Sequence, residues 1–84
     1  MADDGYEPWT AEWRGGLACD VSGRGFTLRA DEPEVFGGSD TGPMPTEFVA
    51  IGLASCFCLA IAFSARKRDI DPGEIAVDVT PHRA

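Results

Sequence analysis

Apolar and polar residues alternate one by one along three short stretches of the N-terminal half. In WTAEW, Trp9, Ala11 and Trp13 share one parity, and Thr10 and Glu12 take the other. In LACDV, Leu17, Cys19 and Val21 are the apolar set, and in FTLRA they are Phe26, Leu28 and Ala30. A period of two marks a half-buried strand. Gly15-Gly16 and SGRG separate the three stretches, with Gly23 and Gly25 suited to positive φ in a hairpin turn. DEPE ends the third. The pattern predicts an antiparallel meander that is polar on one side. MADDGYEP carries no such pattern, and residues 1–8 are expected to form a flexible N-terminus.

The pattern changes after VFGGSDTGPMP, whose composition is that of a loop. Pro45 suits a first helical position, where a missing N–H costs nothing. Glu47 in the first turn and Arg66, Lys67 and Arg68 in the last complement the helix dipole. A helix is predicted from Pro45 to Lys67, stopped by the DPG at 71–73. EIAVDV then reads as a strand. The fold class is α+β, in the order β-β-β-α-β, with one long helix on the sheet.

Residues 48–65 of that helix hold no charged side chain. A helix apolar on every face is expected to be buried on all sides. One sheet cannot enclose a helix, so a partner subunit or a second half-domain is expected to cover the remainder. A membrane span is the lesser reading. Gly52, Ser55, Cys56, Cys58 and Ser64 dilute the hydrophobicity, the flanking strands alternate as soluble strands do, and the basic cluster already has a role at the helix end.

Composition narrows the functions open to the chain. Its 84 residues bound it to one domain, and a net charge of −7 argues against nucleic acid as a partner. MADDGYEP has neither the basic nor the apolar region of a secretory signal. Three cysteines, an odd number without framework spacing, favour a reducing, cytoplasmic setting over a disulfide-stapled one. No cofactor is implied. Cys56, Cys58 and His82 do not make a tetrahedral metal set, and FGGSDTGP lacks the Lys-Ser/Thr ending of a phosphate loop. Trp9 and Trp13 read as core or interface anchors.

Two thiols inside the most apolar segment carry the strongest chemical signal. The stretch DEPEVFGGSDTGPMPTEFVAIGLASC resembles the signature of the OsmC/Ohr family, the osmotically induced and organic-hydroperoxide-resistance proteins. The matching pieces are Gly37-Gly38, Gly42-Pro43, Pro45, Glu47 and Ala54-Ser55-Cys56. WRGGLACDVSGRGFTLRADEP before it and ARKRDIDPGEIAVDVTPHR after it resemble the flanks of OsmC-like members. The resemblance implies a cysteine-based peroxidase that defends against oxidative stress, built as an intertwined homodimer with sites at the subunit interface. It implies a thiolate that attacks an organic hydroperoxide, a later cysteine that resolves the sulfenic acid, and an Arg and a Glu beside the thiolate. It also implies that residues 1–84 are a single, incomplete domain, the N-terminal portion of an OsmC-like fold.

Set against that pattern, Cys56 takes the attacking position. Arg14, Arg24 and Arg29 are the candidate cations, and Arg14, next to Gly15-Gly16, lies nearest the family's place. Strongly active members carry Glu directly after the proline. Here that residue is Thr46, and Glu47 follows one position later, turned by roughly 100°. No cysteine follows Cys58 in the sequence. Cys58 points about 200° away from Cys56 on a helix and reads as a small core residue, as does Cys19 on its strand. Three functions stay open: a thiol-dependent peroxidase that needs an external thiol reductant, a non-catalytic OsmC-like dimer that binds a hydrophobic small molecule, and, more distantly, a small membrane-anchored protein.

Overall fold

The computed structural model describes residues 5–82, within two compact units, Met1–Pro45 and Thr46–Ala84. The first four residues of the expected flexible N-terminus lie outside the described residues.

The first unit is the antiparallel meander. Strands β1 (Thr10–Trp13), β2 (Cys19–Gly23) and β3 (Phe26–Ala30) pair in the order β1-β2-β3. The register aligns Ala11 with Val21 and Leu28, and Trp13 with Cys19 and Ala30. These two rows form the apolar face. Thr10, Ser22 and Thr27 align on the opposite face, beside a charged row of Glu12, Asp20 and Arg29. The alternation read from the sequence therefore has the correct parity in all three strands.

β2 lies two residues later than its apolar run suggests. Leu17 and Ala18 stay in the connection from β1, closed by the Arg14 N–H on the Ala18 carbonyl at 2.9 Å. At the other end the hairpin turns on Arg24 and Gly25, with φ of 51° and 84°. Two successive positive φ angles give the turn whose twist suits a two-residue hairpin. Gly23 pairs with Phe26 and is needed for space instead, because a Cβ there would lie 2.5 Å from the Trp9 ring.

The second unit is dominated by α1 (Pro45–Lys67), whose limits agree with the sequence reading. Its burial does not. Among its described residues only Ala50 is buried, and Phe57 on one face and Leu59 and Phe63 on the opposite one are all exposed. The expectation of a helix buried on all sides is corrected for the single chain. An all-apolar surface expresses a demand for cover, and among the described residues this helix stays mostly exposed. Its most apolar window has a mean hydropathy of 2.3 and is long enough to cross a membrane.

The helix ends where expected, but DPG is not what closes it. Asp69, at φ 56°, donates its N–H to the Arg66 carbonyl, and the Ile70 N–H reaches the Ala65 carbonyl at 2.9 Å. This pair of bonds is the Schellman motif, with Asp69 in the left-handed position usually held by glycine. Ile70 turns back to line a shallow groove with Phe57, Ile61 and Ala65. DPG follows as an Asx turn, the Gly73 N–H bonding the Asp71 carboxylate at 2.9 Å.

The final strand expected over 74–79 does not form. Ile75, Val77 and Val79 are half-buried and alternate with exposed Ala76, Asp78 and Thr80, so the period-two pattern persists. A strand also requires a neighbour to complete its backbone hydrogen bonds. Among the described residues this segment has none, and the sheet has three strands.

Candidate functional site

The charged row across the meander is a clamp. Asp20 on β2 accepts from the Arg14 Nε–H at 2.9 Å through Oδ2 and from the Arg29 Nε–H at 2.6 Å through Oδ1. Register explains why. Glu12 and Asp20 are directly opposed across β1 and β2, an unfavourable like-charge pair. Arg29 faces Asp20 from β3, and Arg14 reaches back from the end of β1, its Nη2 3.8 Å from Glu12. Hydrogen bonds from Arg29 first, then Arg14, hold the Asp20 carboxyl below its usual range. Its bond to Asp20, followed by the charge of Glu12, raises Arg14 above its ordinary value.

Arg29 extends the network to the loop ahead of α1. Its Nη1 donates to the Thr41 hydroxyl, which donates in turn to Asp31 Oδ2 at 2.7 Å. Asp31 is 1% exposed, the most buried charged side chain among the described residues. It also accepts from the backbone N–H groups of Thr41 and Glu32. The Thr41 hydroxyl is the first cause of its lowered pKa, followed by the Thr41 N–H. Asp31 donates its own N–H to the Pro43 carbonyl at 3.1 Å. Two glycines of the motif loop permit this closure. A Cβ on Gly38 would strike the Glu32 backbone, and one on Gly42 would strike the Arg29 carbonyl.

The second unit carries the thiols. Cys56 is exposed in the middle of α1 and Cys58 is half-buried. Half-turn spacing gives them different surroundings on one helix, as the sequence reading required. The Ser55 hydroxyl is committed to its own helix, donating to the Ile51 carbonyl at 2.8 Å. Cys19, also half-buried, lies in the apolar row with Trp13 and Ala30. Among the described residues no group of His, Cys, Asp and Glu is arranged to hold a metal ion.

The three sequence-derived site residues are thus distributed. Arg14 belongs to the first unit, where Asp20 engages it. Glu47 and Cys56 share α1 but sit nine positions apart, which is roughly 180° around the helix and about 13 Å along it. Helix geometry keeps the Glu47 carboxylate from the Cys56 thiol of its own chain. Asp20 and Asp31 were not singled out from the sequence. For Asp20 a signal existed, since the parity of the three strands puts Glu12, Asp20 and Arg29 on one face. For Asp31 there was none, because its partner Thr41 lies across an irregular loop.

A protein-family model described as OsmC-like protein matches residues 37–84, more than half of the chain. The chain belongs to the OsmC-like family. The match takes in part of the family's length. It begins at the Gly37-Gly38 pair and includes Glu47 and Cys56, while the meander with Arg14 lies ahead of it. No curated protein and no solved structure matches this OsmC-like chain. Its matched part therefore joins the glycine loop fastened by Asp31 to the helix that presents an accessible thiol.

Proposed function

We propose that this OsmC-like protein is a subunit of a thiol-dependent peroxidase that reduces organic hydroperoxides through Cys56. The observation that carries the reading is an exposed Cys56 in the Ala54-Ser55-Cys56 segment of the family-matched helix. The thiolate sulfur attacks one peroxide oxygen, the O–O bond breaks, and the leaving alkoxide takes a proton to depart as an alcohol. Cys56 is left as a sulfenic acid. No cysteine follows Cys58 in this sequence, so the second sulfur comes from a thiol outside it. That thiol condenses with the sulfenic acid, releasing water and forming a mixed disulfide. A further thiol equivalent then frees Cys56.

In this reading Arg14 supplies the cation that favours the thiolate. Glu47, turned away from Cys56, complements the N-terminus of α1. The exposed apolar faces of α1 support a homodimer, since a surface of that extent is rarely left open to water. The test is mass spectrometry after limiting cumene hydroperoxide with a sulfenic-acid trap, on the native chain and on Cys56→Ser. Label is expected on Cys56 ahead of Cys19 and Cys58. Equal labelling of all three, or labelling that survives Cys56→Ser, overturns the peroxidase and leaves the non-catalytic, small-molecule-binding dimer.

A further inference from the structure

The Schellman bonds at the end of α1 do more than stop the helix. They turn Ile70 and Pro72 back beside its last turns, and the space between is a groove of about 510 Å³. Phe57, Ile61 and Ala65 form one wall, and Ile70 and Pro72 the other. The first three are spaced by four residues and so share one row of the helix. Two polar side chains interrupt the apolar lining, Ser64 and Arg68. They too are four residues apart, and both stand toward the C-terminal end of the groove. From Phe57 to Arg68 the wall runs about 16 Å along the helix. Cys56 is not one of the lining residues, being turned roughly 100° from Phe57.

Charge decides what fits this groove. Asp20 engages Arg14 and Arg29, Arg24 lies over the Phe26 ring, and Lys67 lies over the Phe63 ring. Among the described residues the Arg68 guanidinium has no such partner. Helix-end carbonyls, which repel an anion when free, are taken up here. The Arg68 N–H bonds the Ser64 carbonyl, and the Ile70 N–H bonds the Ala65 carbonyl. An apolar trough with a cation and a hydroxyl at one end complements an amphiphile with one anionic head. The planar fork of Arg matches a carboxylate. We propose that the groove binds a free, single-chain aliphatic carboxylate, its tail along Phe57, Ile61 and Ile70 and its head on Arg68 and Ser64. The site uses no thiol and stands apart from the peroxidase reading. Leu59 and Phe63, on the opposite face of α1, stay open to a second copy of the chain.

The experiment is calorimetry of the full chain with octanoate, decanoate and dodecanoate below their micelle concentrations, and with 1-decanol as the neutral match. Amide chemical shifts locate the bound molecule. The dissociation constant is expected to fall about two- to fourfold per added CH₂, with shifts centred on residues 57–72. Arg68→Gln is expected to weaken decanoate about three- to tenfold and to leave decanol unchanged. Ala60→Trp, which fills the groove, is expected to weaken both. No saturable binding of the three acids, a decanol affinity equal to that of decanoate, or an Arg68→Gln chain with native decanoate affinity overturns the proposal. Shifts centred on Leu59 and Phe63 overturn it as well. Dissociation of a dimer by decanoate in light scattering gives the groove to a second copy and also overturns it. Binding to phosphatidylglycerol vesicles without saturable binding of the free acids gives the groove to a bilayer instead. Should Ala60→Trp fail to fold, Arg68→Gln decides, since no described side chain engages Arg68.

Discussion

Asp31 is fully enclosed yet charged, and its hydrogen bonds come from the two ends of the loop it closes. Bonds to the ionised form lower its pKa, and the same holds for Asp20. A carboxyl held low in the folded state contributes stability that is present above its unfolded pKa, about 3.9, and lost as pH falls through the folded value. The first unit is therefore expected to lose stability below about pH 4. Asp31→Asn is expected to flatten that dependence in acid unfolding followed by tryptophan fluorescence. An unchanged acid limb contradicts the latch. Glu47 makes a simpler case. Glu47→Gln is expected to cost about 0.3–1 kcal/mol of helix stability and to leave Cys56 alkylation unchanged. A large loss of thiol reactivity would show instead that the carboxylate reaches a thiol of a second copy.

Elements differ in how far the sequence discloses them. The strands of the meander and the limits of α1 follow from local rules: parity, glycine turns, a proline at the helix start and basic residues at its end. β2 slipped by two residues because its ends are set by which residues pair, and an apolar run does not report that. The helix stop falls at Lys67 as read, but the device that makes it was hidden for a related reason. DPG is a strong turn signal, but the Schellman bonds close at Asp69 and Ile70, and aspartate is a poor advertisement for a left-handed cap. Asp69 also sets a negative charge at the negative end of the helix dipole. Asp69→Gly is expected to raise the melting temperature, by an amount equivalent to up to about 1 kcal/mol. A fall in melting temperature would show that Asp69 has a partner at the helix end that outweighs its backbone strain. The segment 74–79 kept its alternation and lost its strand, because alternation is local and a ladder is not.

For the whole molecule, burial was the least legible property. An uncharged stretch over 48–65 says that α1 needs cover, and the single chain leaves it exposed. The candidate site divides in the same way. A motif singled out Cys56 and Glu47 as candidates, whereas the Arg14–Asp20–Arg29 clamp becomes visible once strand register sets Asp20 beside Arg29. A homodimer covering α1 is expected at micromolar concentration by light scattering without detergent. A monodisperse monomer contradicts the homodimer, and a chain recovered only with detergent favours insertion of α1 into a membrane. The central claim is that Cys56 reduces organic hydroperoxides. Its most direct measurement is the consumption of cumene hydroperoxide with excess dithiol, by the native chain and by Cys56→Ser at equal concentration. The account predicts conversion to the alcohol that continues past one equivalent in the native chain and is lost in Cys56→Ser. Equal rates in the two, or no consumption beyond the dithiol alone, would contradict it.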